Sequence, residues 1–570
     1  MKFLNKEYKI SEWNGQKLNR YITLDTETTI VPFHMTPEMV TCQVYDGGEY
    51  VYFVPRNRLM VFLNRHYNNT FICHNASFDL DVLEQYVGKE RVIEIYDENR
   101  IKDTSIMYRL LHLASIGFVP HKYSLAFLTK KYLNVDIEGK GDIQCDFSRF
   151  LDRDLSEIPD GHLEYAAKDV IATYHVYYAL TSLIAPYDIY GTNLSHDIQI
   201  KGERALTHIR KNGIGFDLDR RDRWLDEQNK ELALLSERLG TWGWVRGQKG
   251  IKDRFESIIA TLGLADKLPR TEDGSISSKR EDLEPFGTLP FVSDYLRFIE
   301  LEKATTFVRD VSSVRIHPKY NSLVNTGRTS CSSPNFQQLP RIGGIREMFK
   351  ASEGNTFIIT DYSTLELCTL SQVLLNKYGE STMGDLINEG RDLHRYYASI
   401  LHDISEDRVS KNQRQEAKAA NFGFPGGLGI DTFRKFSSGY GLELSETQAQ
   451  NMKDAWFQAF PEMRGYLNNE EGNVYTTTGR RRGNTTYCAE KNTPFQGLAA
   501  DGAKLALYNL DRAGFRIVGF VHDEIICEVP KTMAEQKLGE MESIMVDSMQ
   551  RVVPDVKISV ESQISQRYCK

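Results

Sequence analysis

The stretch NTFIITDYSTLEL at positions 355–367 begins as an apolar run and places an acid, Asp361, where that run ends. A second stretch, FRIVGFVHDEIICEV at 515–529, contains two apolar runs separated by a short polar turn that carries Asp523. Apolar runs bounded by turn residues are typical of buried strands, and a turn exposes side chains that a strand interior would bury. We therefore predict that two carboxylates present ligands for a hard divalent cation, although His-Asp in a turn is also explained by turn chemistry alone.

A predicted helix between these two strands carries regularly spaced cations. In KNQRQEAKAANFGF (411–424), Arg414, Lys418 and Phe422 follow one another at four-residue steps. Each step advances about 40° around a helix, so the three side chains share one face. Such a face suits a triphosphate and the sugar or base attached to it. The alternative is a solvated basic face with one core phenylalanine.

A separate set of acids lies near the N-terminus. LDTETT places Asp25 and Glu27 two residues apart at the end of a predicted strand, so both side chains share one strand face. CHNASFDLDVL puts Asp79 in the opening of a helix, and YAAKDVIATY puts Tyr165 and Asp169 on one helix face. Four acids around two cations can activate a water against a phosphodiester, with the tyrosine orienting that water. Each acid taken singly is most often a solvated surface group or a helix cap.

The bulk composition is that of an ordinary globular protein, with 41% hydrophobic and 26% charged residues. The length of 570 residues predicts three or four folding units. We expect no membrane segment and no signal peptide, because no apolar run is long enough. The eight cysteines show no metal-binding spacing and predict reduced thiols in a cytoplasmic compartment. A net charge of −8 does not decide for or against nucleic-acid binding, since bound cations would neutralise acidic sites.

The order of patterns along the chain predicts an α/β region followed by an α+β region. We predict strands at 20–25 and 70–73, helices at 76–87 and 162–184, a helix-rich segment over 200–310 with a loop at 271–282, and a boundary near 187–200.

The ordered set DxE, NxxFD and YxxxD resembles the signature of the DEDD-type 3′–5′ proofreading exonucleases, which have an RNase H-like fold. The resemblance implies that metal ions are bound by the four acids of this set: Asp25, Glu27, Asp79 and Asp169.

Four further motifs resemble those of family A DNA polymerases: TGRTSCSSPNFQQLP (326–340), DYSTLEL (361–367), RQEAKAANFG (414–423) and VHDEI (521–525). By this resemblance Asp361, Asp523 and the Tyr362 carbonyl bind metal, and Glu366 is the steric gate against ribose. The resemblance also implies that His394, Arg414 and Lys418 bind the triphosphate and that Phe422 packs on the incoming sugar. Primer–template contacts are implied for Arg328, Asn335, Gln337, Gln496 and His522.

The chain also departs from the family A pattern. The family's arginine after DYSQIEL is Cys368 here, and the glutamine of that motif is Thr364. The residue two before His522, often glutamine in the family, is Phe520. The family's tyrosine four residues past Phe422, which stacks at the template base, is Gly426. By the resemblance to the family, phenylalanine rather than tyrosine at 422 implies discrimination against dideoxynucleotides.

The resulting prediction is a two-domain enzyme: an RNase H-like exonuclease domain followed by a right-hand polymerase with palm, fingers and thumb. The predicted bounds are 1–195 for the exonuclease and 196–570 for the polymerase, with the thumb at about 200–320, the palm at about 321–375 and 465–570, and the fingers at about 376–464.

The predicted function is template-directed DNA synthesis with 3′–5′ proofreading. The expected cofactor is Mg²⁺, two ions at each site, with Mn²⁺ as a substitute. Expected partners are primer–template DNA, dNTPs and a helicase or other replisome proteins, and the chain is expected to be a monomer.

Nothing precedes the exonuclease-like segment, and the thumb-like segment is short; both predict a compact bacteriophage replicative enzyme without a 5′ nuclease, in the host cytoplasm. An organellar or small bacterial enzyme is the alternative source. The competing functions are a nuclease whose C-terminal half only binds nucleic acid and a non-catalytic DNA-binding scaffold.

Overall fold

The computed structural model describes residues 1–31, 34–137, 146–340, 342–469 and 472–569 of the chain. All of the candidate site residues lie within these ranges. Cys145 lies outside them, and the seven described cysteines are free thiols, as predicted for those positions. Among the described helices, none combines the length and apolar character that crossing a bilayer requires.

A six-stranded mixed sheet organises the N-terminal part, behind a small hairpin of β1 (Lys2–Phe3) and β2 (Lys6–Glu7). In spatial order its strands are β3 (Lys9–Glu12), β6 (Tyr50–Phe53), β5 (Met39–Tyr45), β4 (Tyr21–Thr28), β7 (Thr70–Cys73) and β8 (Ile101–Asp103). Strand β4 pairs antiparallel with β5 and parallel with β7, so it is an interior strand. The acids of the LDTETT motif therefore project from the middle of the sheet.

Among the described residues, six helices accompany this sheet: α1 (Leu59–Arg65), α2 (Ala76–Val87), α3 (Lys89–Asp97), α4 (Thr104–Ile116), α5 (Leu125–Leu133) and α6 (Asp160–Ile184). Helix α6 packs against β4 and β5. The buried residues of its first half, Val170 and Ile171 among them, form one apolar core with Tyr45 and Phe53. This packing holds one face of α6 against the strand that carries Asp25.

The helix α7 (His196–Asn212) lies between the two halves of the molecule. It contacts α2, α4 and β8 of the N-terminal part and also strands and helices of the C-terminal part. Beyond it come β9 (Ile214–Gly215), α8 (Leu218–Thr241), α9 (Ile251–Thr261), α10 (Arg280–Leu283) and α11 (Pro290–Arg309). Helices α8, α9 and α11 share a separate core around Leu239, Trp244 and Phe291.

A four-stranded antiparallel sheet organises the C-terminal part. Its spatial order is β16 (Arg516–Val521), β17 (Glu524–Pro530), β13 (Asn355–Tyr362) and β18 (Val560–Ser565). Along β13, Ile358 faces one apolar core while Phe357 and Ile359 face another. The strand is buried on both faces, which explains why its sequence is a continuous apolar run rather than an alternating one.

Short strand pairs connect these parts: β10 (Arg315–Ile316) with β9, β11 (Lys319–Asn321) with β12 (Ser330–Ser332), and β14 (Val474–Tyr475) with β15 (Arg481–Arg482). The C-terminal helices are α12 (Leu365–Tyr378), α13 (Thr382–Asn388), α14 (Leu393–His402), α15 (Lys411–Gly423), α16 (Ile430–Ser438), α17 (Glu446–Ala459), α18 (Glu462–Asn468), α19 (Tyr487–Arg512) and α20 (Ala534–Gln550).

The predicted order of an α/β part and an α+β part is confirmed. The strand predicted at 70–73 and the helix predicted at 76–87 have these bounds, and the strand at 20–25 and the helix at 162–184 are each found with slightly different ends. Most of the segment 271–282 is irregular, as predicted, although Ile276 is buried in a core. The predicted boundary coincides with the interval between α6 and α7, but α7 packs on both halves.

Two candidate active sites

The N-terminal site is built on strand β4 and two helices. Asp25 and Glu27 stand on one face of β4, and Asp169 comes from α6. One carboxylate oxygen from each of these three acids lies within 4.8 Å of the other two. Carboxylate oxygens at this spacing fit a hard divalent cation. The sequence prediction that these acids converge is therefore correct.

Asp79 lies beside this cluster on α2. The backbone N–H and the hydroxyl of Thr26 both donate to its Oδ1, at 3.0 and 2.8 Å. Burial, followed by the negative charge of Asp25, raises the pKa of Asp79 well above its usual range. The carboxylates repel one another in a poorly solvated place, and a bound cation would relieve that repulsion.

Tyr165 is one turn before Asp169 on α6. Burial raises the pKa of its hydroxyl, and the charges of Asp169, Glu27 and Asp25 raise it further. The phenol is therefore held in its protonated form close to three acids. It can donate a hydrogen bond there.

Two residues support this cluster and were not found from the sequence. The Gln43 amide, on β5 beside β4, donates to Oδ2 of Asp25 at 2.6 Å. Asp103 accepts hydrogen bonds from the backbone N–H groups of Ala76 and Ser105, each at 2.7 Å, and so joins the beginnings of α2 and α4. Asp103 fixes the start of the helix that carries Asp79. Only the Asp-Thr-Ser sequence of its helix cap could have suggested that role.

The C-terminal site is built on β13 and the hairpin of β16 and β17. Asp361 is near the end of β13, and Asp523 is in the turn between the hairpin strands, as predicted. Burial, followed by the charge of Asp361, raises the pKa of Asp523 to about 7. A buried carboxylate whose ionisation is disfavoured by a neighbouring carboxylate is again a fitting ligand for a divalent cation.

The other residues of these strands are arranged consistently with this site. The Tyr362 side chain is buried, and its hydroxyl donates to the Met545 carbonyl at 2.8 Å. Glu524 lies directly opposite Asp361 on β17, and the hydroxyl of Tyr568 donates to it at 2.7 Å. Glu524 was missed from the sequence, where only its position next to Asp523 could have indicated it.

A cavity of about 320 Å³ opens beside Asp523. Its lining brings together residues from four distant parts of the chain: Arg328, Glu366, Lys504 and His522. Arg328 forms an ion pair with Glu366 across this cavity. His522 has a left-handed backbone conformation (φ 61°), and burial, followed by the charge of Arg328, lowers its pKa.

The remaining residues predicted to contact primer–template do not line this cavity. The Gln337 amide donates to the hydroxyl of Thr329 at 2.8 Å, and Thr329 is part of the lining. Asn335 donates to the Gln338 side chain at 3.1 Å, and Gln496 donates to the Asn492 side chain at 3.3 Å. Gln496 precedes Ala499 and Ala500 of the lining by about one turn of α19.

The cationic helix forms as predicted. Ser410 and Gln413 cap α15 reciprocally, and Gly423 ends it. Phe422 is half-buried and belongs to no apolar core, whereas Phe424 is fully buried in one. The alternative interpretation, in which Phe422 is the core residue of this helix, is therefore wrong.

The face of α15 meets the beginning of α14. Nε of Arg414 is 2.7 Å from Oδ2 of Asp392, which also caps α14 through the backbone N–H groups of His394 and Arg395. The Lys418 ammonium lies 5.9 Å from the centre of the Phe422 ring, and the His394 ring lies 5.8 Å from it. The four residues predicted to hold a nucleotide thus form one cluster.

The structure shows the surroundings of the positions that depart from the motif pattern. At Gly426, an added Cβ would lie 2.7 Å from Nδ2 of Asn492, so this close approach leaves no room for a side chain unless Asn492 moves. Cys368 is buried in α12, and burial raises the pKa of its thiol to about 11. Phe520 is buried and lines the cavity, and Thr364 has a left-handed conformation where α12 begins.

The junction between the two sites is densely charged. On α7, Arg204 forms ion pairs with Glu84 at 2.7 Å and Asp511 at 3.1 Å. His208 lies between Asp511, 2.7 Å from its Nδ1, and Asp81, 3.2 Å from its Nε2. Burial opposes a charge on His208, but the hydrogen bonds to Asp511 and Asp81 outweigh it and raise its pKa.

A second junction network reaches the cavity itself. The Lys504 ammonium donates to the Gly327 carbonyl at 2.7 Å and hydrogen-bonds the Gln199 side chain of α7. The amide of Gln199 donates to Asp501 at 2.9 Å, and Asp501 is paired with buried Arg480. Burial lowers the pKa of Lys504 to about 7.

Comparison with known proteins follows the same division of the chain. Residues 252–570 match the family model "DNA polymerase family A", and residues 4–185 match the model "3'-5' exonuclease". The confirmed arrangement is thus an exonuclease domain followed by a polymerase domain.

Among curated proteins, a DNA polymerase I of Aquifex aeolicus (strain VF5) is 32% identical over 323 residues, which is 53% of this chain and 55% of that protein. A DNA polymerase I of Chloroflexus aurantiacus is 27% identical over 538 residues, 86% of this chain and 54% of that protein. A thermostable DNA polymerase I of Thermus filiformis is 28% identical over 405 residues, 65% and 47% of the two chains. The chain spans about half the length of these relatives.

Among solved structures, the POL domain of Pol1 from M. smegmatis, in complex with DNA primer-template and dNTP, superposes with a TM-score of 0.74 at 19% identity. The match covers 98% of this chain and 99% of that one. At this level of identity the likeness is one of fold.

Proposed function

The chain belongs to DNA polymerase family A, and from this membership we propose that it extends a primer 3′-OH on a template with dNTPs and removes 3′-terminal nucleotides at a second site. The observation that carries the proposal is the convergence at one cavity. Asp523, Glu366 and Arg328 come from three separate motifs and meet around it. Neither competing function, a nuclease with a DNA-binding half or a non-catalytic scaffold, accounts for this convergence.

For synthesis, we propose that Asp361, Asp523 and the Tyr362 carbonyl hold the metal ions. The raised pKa of Asp523 supports this role, because it reflects an acid that is buried and held close to Asp361. Two Mg²⁺ ions at each site, with Mn²⁺ as a substitute, would lower the pKa of the attacking hydroxyl or water and neutralise charge on the leaving oxygen.

The protein's own contribution to synthesis is positioning and charge. Arg414 and Lys418 would neutralise the triphosphate, His394 would donate a hydrogen bond to it, and Phe422 would pack on the sugar. Their grouping on α14 and α15 supports these roles. Glu366 would occupy the space that a 2′-hydroxyl needs.

For the duplex, we propose contacts from five residues on the palm side of the site: Arg328, Asn335, Gln337, Gln496 and His522. Arginine, asparagine and glutamine donate to minor-groove acceptors that all base pairs share, so such contacts would sense correct pairing without reading sequence. The solved relative in fold holds a primer-template and dNTP, which supports the same two ligands here.

For 3′–5′ degradation, Asp25, Glu27, Asp79 and Asp169 would hold the metal ions, and Tyr165 would orient the attacking water. The mutual distance of three of these acids supports the assignment. The domain bounds of 1–195 and 196–570, with the thumb, palm and fingers predicted above, remain our proposal. A monomeric state, a cytoplasmic location, replisome partners and a bacteriophage source remain predictions from the sequence.

The test is primer extension on a long single-stranded template with the purified chain, with and without dNTPs, and with EDTA as a control. With dNTPs we expect extended products, without them we expect shortening from the 3′ end, and EDTA should stop both. Shortening without extension would favour the nuclease alternative. Binding with neither reaction would favour the scaffold.

A further inference from the structure

A buried chain of three polar side chains joins α14, α15 and α17. Nε1 of Trp456 donates to Oδ1 of Asn421 at 3.0 Å, and Nδ2 of Asn421 lies 2.9 Å from Nδ1 of His394. Trp456, Asn421 and His394 are each at most 2% exposed. The sequence did not predict these contacts of Asn421 and Trp456.

The partners of Asn421 fix the orientation of its amide. An indole N–H can only donate, so the group facing Trp456 must be the amide oxygen. The amide nitrogen then faces α14, where the Leu393 carbonyl, which can only accept, lies 3.3 Å from it. Two independent partners therefore agree on one orientation.

The orientation of Asn421 in turn fixes the tautomer of His394. The amide nitrogen can only donate, so Nδ1 of His394 must offer its lone pair, and the ring proton must be on Nε2. Among the described residues, no hydrogen-bond partner occupies Nε2. This atom is therefore the one available to a ligand.

The surroundings favour the neutral ring. Burial, with the charges of Arg414 and Lys418 on α15, lowers the pKa of His394 to about 4, and Asp392 at the start of α14 opposes them. The contact from α17 is the hydrogen bond of Trp456 to Asn421, and Trp456 carries no charge. The cations on α15 supply charge, and the histidine supplies a directed donor.

We propose that Asn421 is a positioning residue that holds His394 as the neutral Nε2–H tautomer, so that this N–H donates to the triphosphate of the incoming nucleotide. The inference rests on the proposed function for the identity of the ligand. The tautomer itself does not rest on it. A donor fixed in this way binds phosphate equally well on both sides of the ordinary histidine pKa.

The first test is ¹⁵N NMR of the histidine-labelled full chain, with His394→Gln to assign the signal. We expect wild-type His394 to show an unprotonated Nδ1 and a protonated Nε2, unchanged between about pH 5.5 and 8. An Nδ1–H tautomer, or titration near pH 6.5, overturns the proposal. This measurement needs neither nucleotide nor activity.

The second test is Asn421→Asp, with Asn412→Asp as the matched control, since Asn412 is exposed on the same helix. A carboxylate at 421 accepts from both Trp456 and His394, so the ring must carry its proton on Nδ1. Nε2 then donates only while the ring is doubly protonated.

We expect the kcat/KM of Asn421→Asp for dNTPs to fall about tenfold or more as the pH rises through the ring's new pKa, mainly through KM. The wild type and Asn412→Asp should lack this step, and adding Asn421→Asp to His394→Gln should have no further effect. A uniform loss without a pH step would indicate a purely structural role and overturn the proposal. If the wild type does not extend primers, the proposed function fails, while the tautomer measurement still decides whether Asn421 fixes the tautomer of His394.

Discussion

The two acidic centres differ in what surrounds their carboxylates. In the N-terminal centre, acids from one strand and two helices surround a point, and their neighbours Thr26 and Gln43 are uncharged donors. In the C-terminal centre, the two aspartates stand beside Arg328, and the proposed nucleotide-binding cluster of α14 and α15 would add Arg414 and Lys418. A centre that uses water needs acids alone, whereas a centre that takes a triphosphate needs fixed positive charge for it.

The most direct way to break this comparison is Asp523→Asn. We expect primer extension to fall about 10³-fold or more, because one bound cation's charge stabilisation amounts to several kcal/mol. Degradation of single strands should persist. The measurement is extension and degradation rates on the same preparation.

Asp547→Asn is the matched control for Asp523→Asn, because Asp547 is exposed on α20. Extension by Asp523→Asn at a rate near that of the control would mean that the polymerase centre lies elsewhere.

The mirror experiment is Asp25→Ala combined with Glu27→Ala. Loss of two converging carboxylates should reduce 3′–5′ degradation by about 10³-fold while extension continues. Degradation of a labelled single strand in the absence of dNTPs is the readout.

The paired control is Glu12→Ala combined with Glu49→Ala, two exposed acids of the same domain. Mg²⁺-dependent trimming that survives in Asp25→Ala/Glu27→Ala would contradict the assignment of the N-terminal centre.

A smaller effect tests the cavity of the C-terminal centre. Glu366→Ala removes the partner of Arg328 and opens the space proposed to exclude a 2′-hydroxyl. Preference for dNTP over rNTP should fall by about 10- to 200-fold, the range that one added group produces in a packed pocket. Competing incorporation of dNTP and rNTP at one template base measures it.

Glu353→Ala, an exposed acid before β13, is the control for that selectivity. Unchanged ribonucleotide use by Glu366→Ala would refute the gate. Degradation should not change in either variant.

The smallest effect concerns His208 in the charged junction between the two centres. The pKa of His208 is raised in the folded state above its ordinary value of 6.5. Its contribution to stability is therefore complete below about pH 6.5 and is lost as the pH rises through the folded-state pKa. His208→Gln should remove about 1–3 kcal/mol at low pH and flatten this pH dependence.

Urea unfolding between about pH 5.5 and 9 checks the His208 prediction, with exposed His121→Gln as the control. If the stability of the wild type rises over this range, and both His121→Gln and His208→Gln show the same rise, then His208 is not charged in the junction.

The sequence predicted the parts of these sites that depend on local patterns. The strands that carry Asp25 and Asp361, the turn at Asp523 and the common face of Arg414 and Lys418 all follow from periodicity within a few residues. The structure confirms these placements, while the catalytic and binding roles remain predictions.

The parts that the sequence did not predict depend on distant partners. Asn421 hydrogen-bonds Trp456 and His394, which are 35 and 27 residues away. Lys504 meets Gln199 across 305 residues. A buried hydrogen bond of this kind is required by desolvation of both partners, and no local spacing encodes it.

The helix α7 has a consequence for the DNA rather than for the protein. It is bonded on one side to α2 through Glu84 and Asp81, and on the other to α19 through Asp511. If both centres act as proposed, this helix fixes the distance between them. The primer end must then unpair from its template to reach from one centre to the other. Each base-pair step lost costs about 1.4 kcal/mol for matched DNA and less at a mismatch. The distance between the two centres would then favour removal of primer ends that are weakly paired.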